Sequence, residues 1–209
     1  AAGRKSPLPF DVYTLGYRVR SDATDACVNA PRHPHLLGAK RVLRYLKGKP
    51  DLSVRFNSQD FSLHAFTDAS HSDDPNTSRS VSRYLFLLGG GPITWSSKKQ
   101  PVVALSSCES EFIALAYVSQ EAVYLSEFLA ELNFKRFSSV QMYEDNVSAL
   151  HLARNAAFSP RTKHICTRYH FLRELVAANK LIISHVQTTE QLRDIFTKFL
   201  DYPKFTTIY

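Results

Sequence analysis

YLFLLGGGPITWSS, residues 84–97, sets two short apolar runs, Tyr84–Leu88 and Ile93–Ser97, on either side of Gly89-Gly90-Gly91-Pro92. Aromatic and β-branched residues flanking a glycine-rich turn read as a β-hairpin. Two runs of the same kind precede it, Leu52–Phe56 and Ser62–Thr67, so three or four neighbouring strands joined by short loops form an antiparallel meander. The pattern then changes. Ser106 with Glu109 three residues on forms a capping box, and helical spacing continues to about Leu132. A strand follows at Val140–Glu144, then helices from about Asn146 to Arg154 and His164 to Ala178, a strand at Leu181–Val186 and a last helix from about Glu190 to Leu200. A meander followed by alternating strands and helices predicts an α/β domain over residues 52–200, one mixed sheet with helices on both faces. Residues 201–209 are a C-terminal tail.

Upstream of the meander, residues 1–51 form a separate segment. Pro7, Pro9, Pro31 and Pro34 mark a loosely structured lead-in, in which Asp11–Val19 is a candidate short helix. His35–Leu46 has apolar residues at 36, 39, 42, 43 and 46, closed by Gly48 and Pro50, which predicts a short helix. Residues 32–49 carry six basic residues, Arg32, Lys40, Arg41, Arg44, Lys47 and Lys49, and no acid. Such a run suits a phosphate-facing surface and equally a solvated helix face.

With 209 residues the chain can bury a core without disulfide or metal staples, so a small disulfide scaffold is excluded. Cys27, Cys108 and Cys166 are odd in number and form no C-x-x-C pair, which predicts no disulfide partner and an intracellular, reducing compartment. AAGRKSPLPF lacks the apolar core of a secretory signal and no run of eighteen apolar residues occurs, so no membrane association is expected. A net charge of +7 favours an acidic partner such as nucleic acid.

Several carboxylates stand in awkward places. The helix after Ser106 has an apolar stripe at Leu115, Val118, Ala122, Leu125, Leu129 and Leu132, and one step back along it lies Glu111. A core-facing carboxylate costs several kcal/mol unless a cation, a proton or a metal meets it. The alternative for Glu111 is a solvated first-turn acid stabilised by the helix dipole. Asp68 and Asp145 each close a strand, where α/β sheets assemble their sites. Turn chemistry explains either one equally, and Asp145 beside Asn146 suits a helix N-cap. Asp194 lies in the last helix, beside Leu192, Ile195, Phe196 and Phe199, where a dipole role is again the ordinary explanation. Clustered acids repel unless a hard divalent cation neutralises them, and oxygen-rich sites select Mg²⁺ or Mn²⁺.

HPHLLGAKRVLRYLKGKPDLSVRF, FTDASHSDD, YLFLLGGGPITWSSKKQPVVALSSCESEFIALA, EDNVSAL, RTKHICTRYHFLRE and QLRDIFTK follow one another along nearly the whole chain. In order and spacing they resemble the ribonuclease H region of copia-type retrotransposon polyproteins. The first fifty residues look like the tail of the preceding reverse transcriptase, with Pro9-Phe10-Asp11-Val12 at a motif position, and the aspartate-bearing polymerase motif is absent. The resemblance implies the ribonuclease H-like fold, a five-stranded mixed sheet whose first three strands are antiparallel. It also implies a catalytic, metal-holding set of Asp68 in FTDAS, Glu111 in CESEF, Asp145 in EDNVSAL and Asp194 in QLRDIF. The implied chemistry is two-Mg²⁺ hydrolysis, with Mn²⁺ able to substitute, of the RNA strand of an RNA–DNA hybrid, leaving a 5′-phosphate and a 3′-hydroxyl.

The basic residues read with that substrate are Lys40, Arg41, Arg44, Lys47, Lys98, Lys99, Arg161, Lys163, His164 and Arg168. The second partner implied is the reverse transcriptase portion of the same polyprotein. Three positions depart from the family pattern. Ser70-His71 stands where the family has a second acid and an aromatic, and Arg83 replaces a glycine, which would strain the hairpin if its φ were positive. His185 receives no role. His164, Cys166 and His170 do not share a helical face as zinc ligands would, the run from Asp68 lacks the glycine of a calcium loop, and Trp95 reads as sheet core. Two other classes of function remain beside the nuclease: a non-catalytic nucleic-acid-binding remnant, and an interaction module for a reverse transcriptase.

Overall fold

A computed structural model describes residues 33–48, 56, 61–74, 77–134, 139–154 and 166–187. The chain divides into two compact units, one containing helix α1 (His33–Gly48) and the other, Phe56–Arg193, containing the sheet. Helix α1 has one turn more than the spacing predicts, and Leu36, Leu37 and Leu43 are exposed along with Lys40, Arg44 and Lys47. Among the described residues, no helix is long and apolar enough to cross a membrane.

The sheet has five strands, β1 (Leu63–Ser70), β2 (Val81–Leu88), β3 (Gly91–Lys99), β4 (Val140–Glu144) and β5 (Leu181–His185), in the order β3-β2-β1-β4-β5. β2 pairs antiparallel with both β1 and β3, whereas β4 lies parallel to β1 and β5 parallel to β4. This is the mixed sheet, antiparallel in its first three strands, that the ribonuclease H resemblance implies. Parallel pairing needs crossovers, and helices supply them. α2 (Ser107–Glu131) links β3 to β4, and α3 (Val147–Arg154) with α4 (Cys166–Ala177) links β4 to β5.

The hairpin that organises the meander turns on two glycines, not four residues. Gly89 and Gly90 have φ of 60° and 76°, the left-handed conformations that a two-residue hairpin loop requires. Gly91 and Pro92 already belong to β3. Proline is tolerated there because β3 is an edge strand, and the register slips between Phe86, opposite Thr94, and Leu87, opposite Pro92, leaving Ile93 as a bulge. A side chain at Gly91 would collide with the Phe56 ring, 2.5 Å from where its Cβ would stand.

α2 opens as its sequence predicts, with a shift of one residue. Ser106 Oγ accepts from the Glu109 N–H at 3.2 Å, and Glu109 Oε2 accepts from the N–H of Leu105, not of Ser106, at 2.9 Å. Leu115, Val118, Ala122, Leu125 and Leu129 are buried along the expected stripe, but Leu132 is 57% exposed, because the helix stops at Glu131 and Leu132 is its C-cap. The N-terminal half of α2 is buried nearly all round, from Glu109 to Ala116. It packs on β1 and β2 with one face and on α3 and α4 with another. These three helices pack on one another and form one layer over the core of Ala65, Phe86, Phe112, Leu115, Met142 and Leu172. The last helix expected from about Glu190 to Leu200 lies outside the described residues, as does the helix expected at 11–19; of the strand expected at Leu52–Phe56 only Phe56 is described, and it is in no strand.

Tyr84 is buried beside Glu121 and Tyr117, and burial first, then these neighbours, push its phenol up from 10.0 to about 12. Below pH 10 the phenol is protonated whether the chain is folded or not. As pH rises from 10 to about 12 the unfolded chain releases that proton and the folded chain holds it, so this contribution to stability is lost across the window. Denaturant unfolding followed across that range is expected to show a shallower loss of stability for Tyr84→Phe than for the parent chain; parallel slopes would refute the assignment.

Candidate metal and catalytic site

The parallel pairing of β1 and β4 brings two of the anticipated acids level. Phe66 is in register with Tyr143, and two residues further on each strand stand Asp68 and Asp145. β1 runs on to Ser70, so Asp68 lies inside the strand and not at its exit, which removes turn chemistry as the reason for an acid there. Glu111 enters from the first turns of α2 and is 7% exposed, so the core-facing alternative holds for it. One carboxylate oxygen from each of Asp68, Glu111 and Asp145 falls within 4.8 Å of the other two. Asp194 lies outside the described residues.

The N-cap reading of Asp145 falls to its neighbour. Asn146 Oδ1 accepts from the Ala149 N–H at 3.0 Å, so Asn146 caps α3 and Asp145 is turned to the other acids. Beneath them Glu144 is fully buried, its Oε1 accepting from the Asn146 N–H at 3.0 Å. His185, paired in register with Glu144, places Nε2 3.2 Å from the Asp145 carbonyl oxygen. Gln100, also buried, donates from Nε2 to Ser82 Oγ at 2.9 Å and to the Ser110 carbonyl at 2.8 Å, which ties the start of α2, and with it Glu111, to β2. Cys108, a free and half-buried thiol one turn before Glu111, is pushed up by burial first and then by Glu111, Glu144 and Glu109.

Arg83 is a cation set beside Asp68. It stands directly opposite Asp68 in the β1/β2 register and is 3% exposed. One guanidinium nitrogen lies 3.4 Å from Asp68 Oδ2 and the other 3.3 Å from Asp73 Oδ2. Its φ is not among the positive ones, so the expected strain of a bulky residue there does not arise. Ser70 is half-buried and His71 exposed.

Of the basic residues anticipated for nucleic acid, Lys40, Arg44, Lys47 and Lys98 are exposed and Arg168 is half-buried. Lys98 places Nζ 5.6 Å from the centre of the Tyr117 ring. Lys99 is engaged by Asp74 at 2.8 Å, so part of its charge is spent within the protein. The side chain of Arg41 and residues Arg161, Lys163 and His164 lie outside the described residues. Trp95 is not sheet core: it lies on the edge strand and is 46% exposed. Residue spacing did not reveal Gln100, Glu144 or the pairing of Arg83. The WSSKKQ motif was the only signal for Gln100, and no local signal marks a fully buried Glu at a strand end.

Fold and site together define an α/β protein with three carboxylates gathered where β1 and β4 run side by side. No family model matches the chain. The retrovirus-related Pol polyprotein from transposon RE1 of Arabidopsis thaliana is 38% identical over 179 residues, 85% of this chain and 12% of the polyprotein. That from transposon RE2 of the same plant is 39% identical over 199 residues, 95% of this chain and 14% of the polyprotein. Over most of its length this chain is thus homologous to retrovirus-related Pol polyproteins of copia-type transposons, and it spans less than a sixth of theirs. Among solved structures, ribonuclease H1 from the archaeon Halobacterium salinarum superposes on 63% of this chain and 90% of its own with a TM-score of 0.44 and 16% identity.

Proposed function

We propose that the chain is a metal-dependent endoribonuclease that hydrolyses the RNA strand of RNA–DNA hybrids, as the ribonuclease H portion of a copia-type polyprotein. The observation that carries this reading is the convergence of Asp68, Glu111 and Asp145 within 4.8 Å. Three hard oxygen donors gathered in a half-buried setting make a set that fits a Mg²⁺ or Mn²⁺ site. Asp194 is the fourth member in this reading. Bound there, the divalent ions supply Lewis-acid activation of water and neutralise charge on the scissile phosphate.

The chain's own residues do the rest. Glu111 and Asp145 are held by elements rather than by flexible loops: Glu111 through the Gln100 tether on α2, Asp145 through the β4 end that Asn146 and Glu144 secure. Lys98 and the basic residues of α1 would contact phosphates, and residues 1–51 would be the reverse transcriptase tail beside a nuclease domain at 52–200. The 2′-hydroxyls exposed in the wide minor groove would select RNA. A second reading, a nucleic-acid-binding remnant without cleavage, draws on one observation, the Arg83 guanidinium lying against Asp68.

The test is an end-labelled RNA–DNA hybrid incubated with the 209-residue chain and Mg²⁺, then Mn²⁺, beside Asp68→Asn. Cleavage of the RNA strand by the parent alone is expected. Equal cleavage by both proteins, or none by either, overturns the reading.

A further inference from the structure

The geometry points to Arg83 as a built-in competitor of the metal: its guanidinium occupies the charge-neutralising role at Asp68 that a divalent ion would take, and so sets how much metal the site needs. The inference rests on the metal-site reading above and deepens it. It starts from the register, which puts residue 83 directly across from Asp68 on the neighbouring strand, at the cross-strand distance where side chains meet. A glycine there would bring no charge to Asp68. An arginine places a buried positive charge 3.4 Å from Asp68, itself one of the three acids that each bring an oxygen within 4.8 Å of the others. A cation at that distance favours the ionised acid and also repels a second cation.

Two details make Arg83 displaceable and not a permanent plug. Its contacts, 3.4 and 3.3 Å, are longer than the roughly 2.7–2.9 Å of a tight charge-assisted pair. Its Nε is buried with no hydrogen-bond partner among the described residues, so the guanidinium is not held by a full set of acceptors. Asp73, on the loop after β1, offers the same side chain a second carboxylate. Arg83 can therefore stay paired with Asp73 while giving up Asp68.

The test measures Mn²⁺ binding to the full chain, by calorimetry and by the spin-resonance signal of free ion, with no nucleic acid present. Arg83→Met keeps the aliphatic volume without the charge, and Arg83→Gly removes the side chain; circular dichroism reports whether each folds, and either suffices. Both are expected to bind Mn²⁺ about tenfold more tightly than the parent, or more. Arg83→Lys, which keeps a cation, should stay closer to the parent than Arg83→Met does. Equal affinities for the parent and Arg83→Met, with binding abolished in Asp68→Asn, would overturn the competition and leave the metal site standing. Absence of Mn²⁺ binding in every protein would overturn the metal site and this inference with it.

Discussion

Asp145→Asn is expected to lower hybrid cleavage by about 10²–10³-fold, or more, with no loss of stability in the absence of metal, whereas Asn146→Ala should do the reverse. The two residues are adjacent, and sequence alone leaves both the capping and the ligand role open to Asp145. The structure separates them. Asn146 Oδ1 accepts the Ala149 N–H and caps α3, so its removal should cost about 1 kcal/mol of stability with cleavage nearly retained. Asp145 makes one of three mutually repelling carboxylates, so neutralising it relieves repulsion in the metal-free protein. Metal that binds only the folded state raises Tm by mass action, and this increment should disappear in Asp145→Asn and persist in Asn146→Ala. Thermal melts with and without Mg²⁺, run beside the cleavage assay, check both halves. If Asp145→Asn lost stability and Asn146→Ala lost activity, the assignment of the two roles would be reversed.

Much of this arrangement is legible in the sequence, because strand and helix periodicities are local. The Val140–Glu144 strand matches the expectation to the residue, and the Ser106 cap places the start of α2. The apolar stripe puts Glu111 on its core-facing line with a solvated first-turn acid as the alternative, and the structure decides for burial. What the sequence hid depends on pairing between strands. Whether Asp68 ended its strand could not be judged from a single strand, since β1 extends to Ser70 only because β2 begins at Val81 and pairs with it. Arg83 read as a steric problem in a hairpin, whereas the register makes it an electrostatic partner of Asp68. Trp95 read as core because tryptophan is large and apolar; the strand order places it on an edge, which composition cannot reveal. Gln100 escaped notice because a single amide after a strand has no periodic signature, although it tethers the start of α2.

Phe112→Ala is the substitution expected to cost the most stability, about 3–5 kcal/mol. Phe112 is completely buried at the start of α2, where the helix packs on the sheet and against α3 and α4, so the space it leaves cannot be filled by simple collapse of one neighbour. Against a total of roughly 5–15 kcal/mol for a domain, such a loss should lower Tm by about 6–20 °C and shift the urea midpoint without changing its slope. Leu132→Ala is the matched control: Leu132 belongs to the same apolar spacing, but it is 57% exposed at the helix end and should change stability by no more than about 0.5 kcal/mol. The comparison bears on function because Phe112 follows Glu111 directly. A cavity there loosens the turn of α2 that carries the acid, while the Gln100 hydrogen bond to the Ser110 carbonyl still holds the backbone on one side. Metal affinity of Phe112→Ala, measured well below its Tm, should therefore fall along with stability, whereas Leu132→Ala should keep both. A Phe112→Ala protein that is destabilised yet binds metal like the parent would mean that Gln100 alone fixes Glu111, and Gln100→Ala would then be the variant that loses the ion.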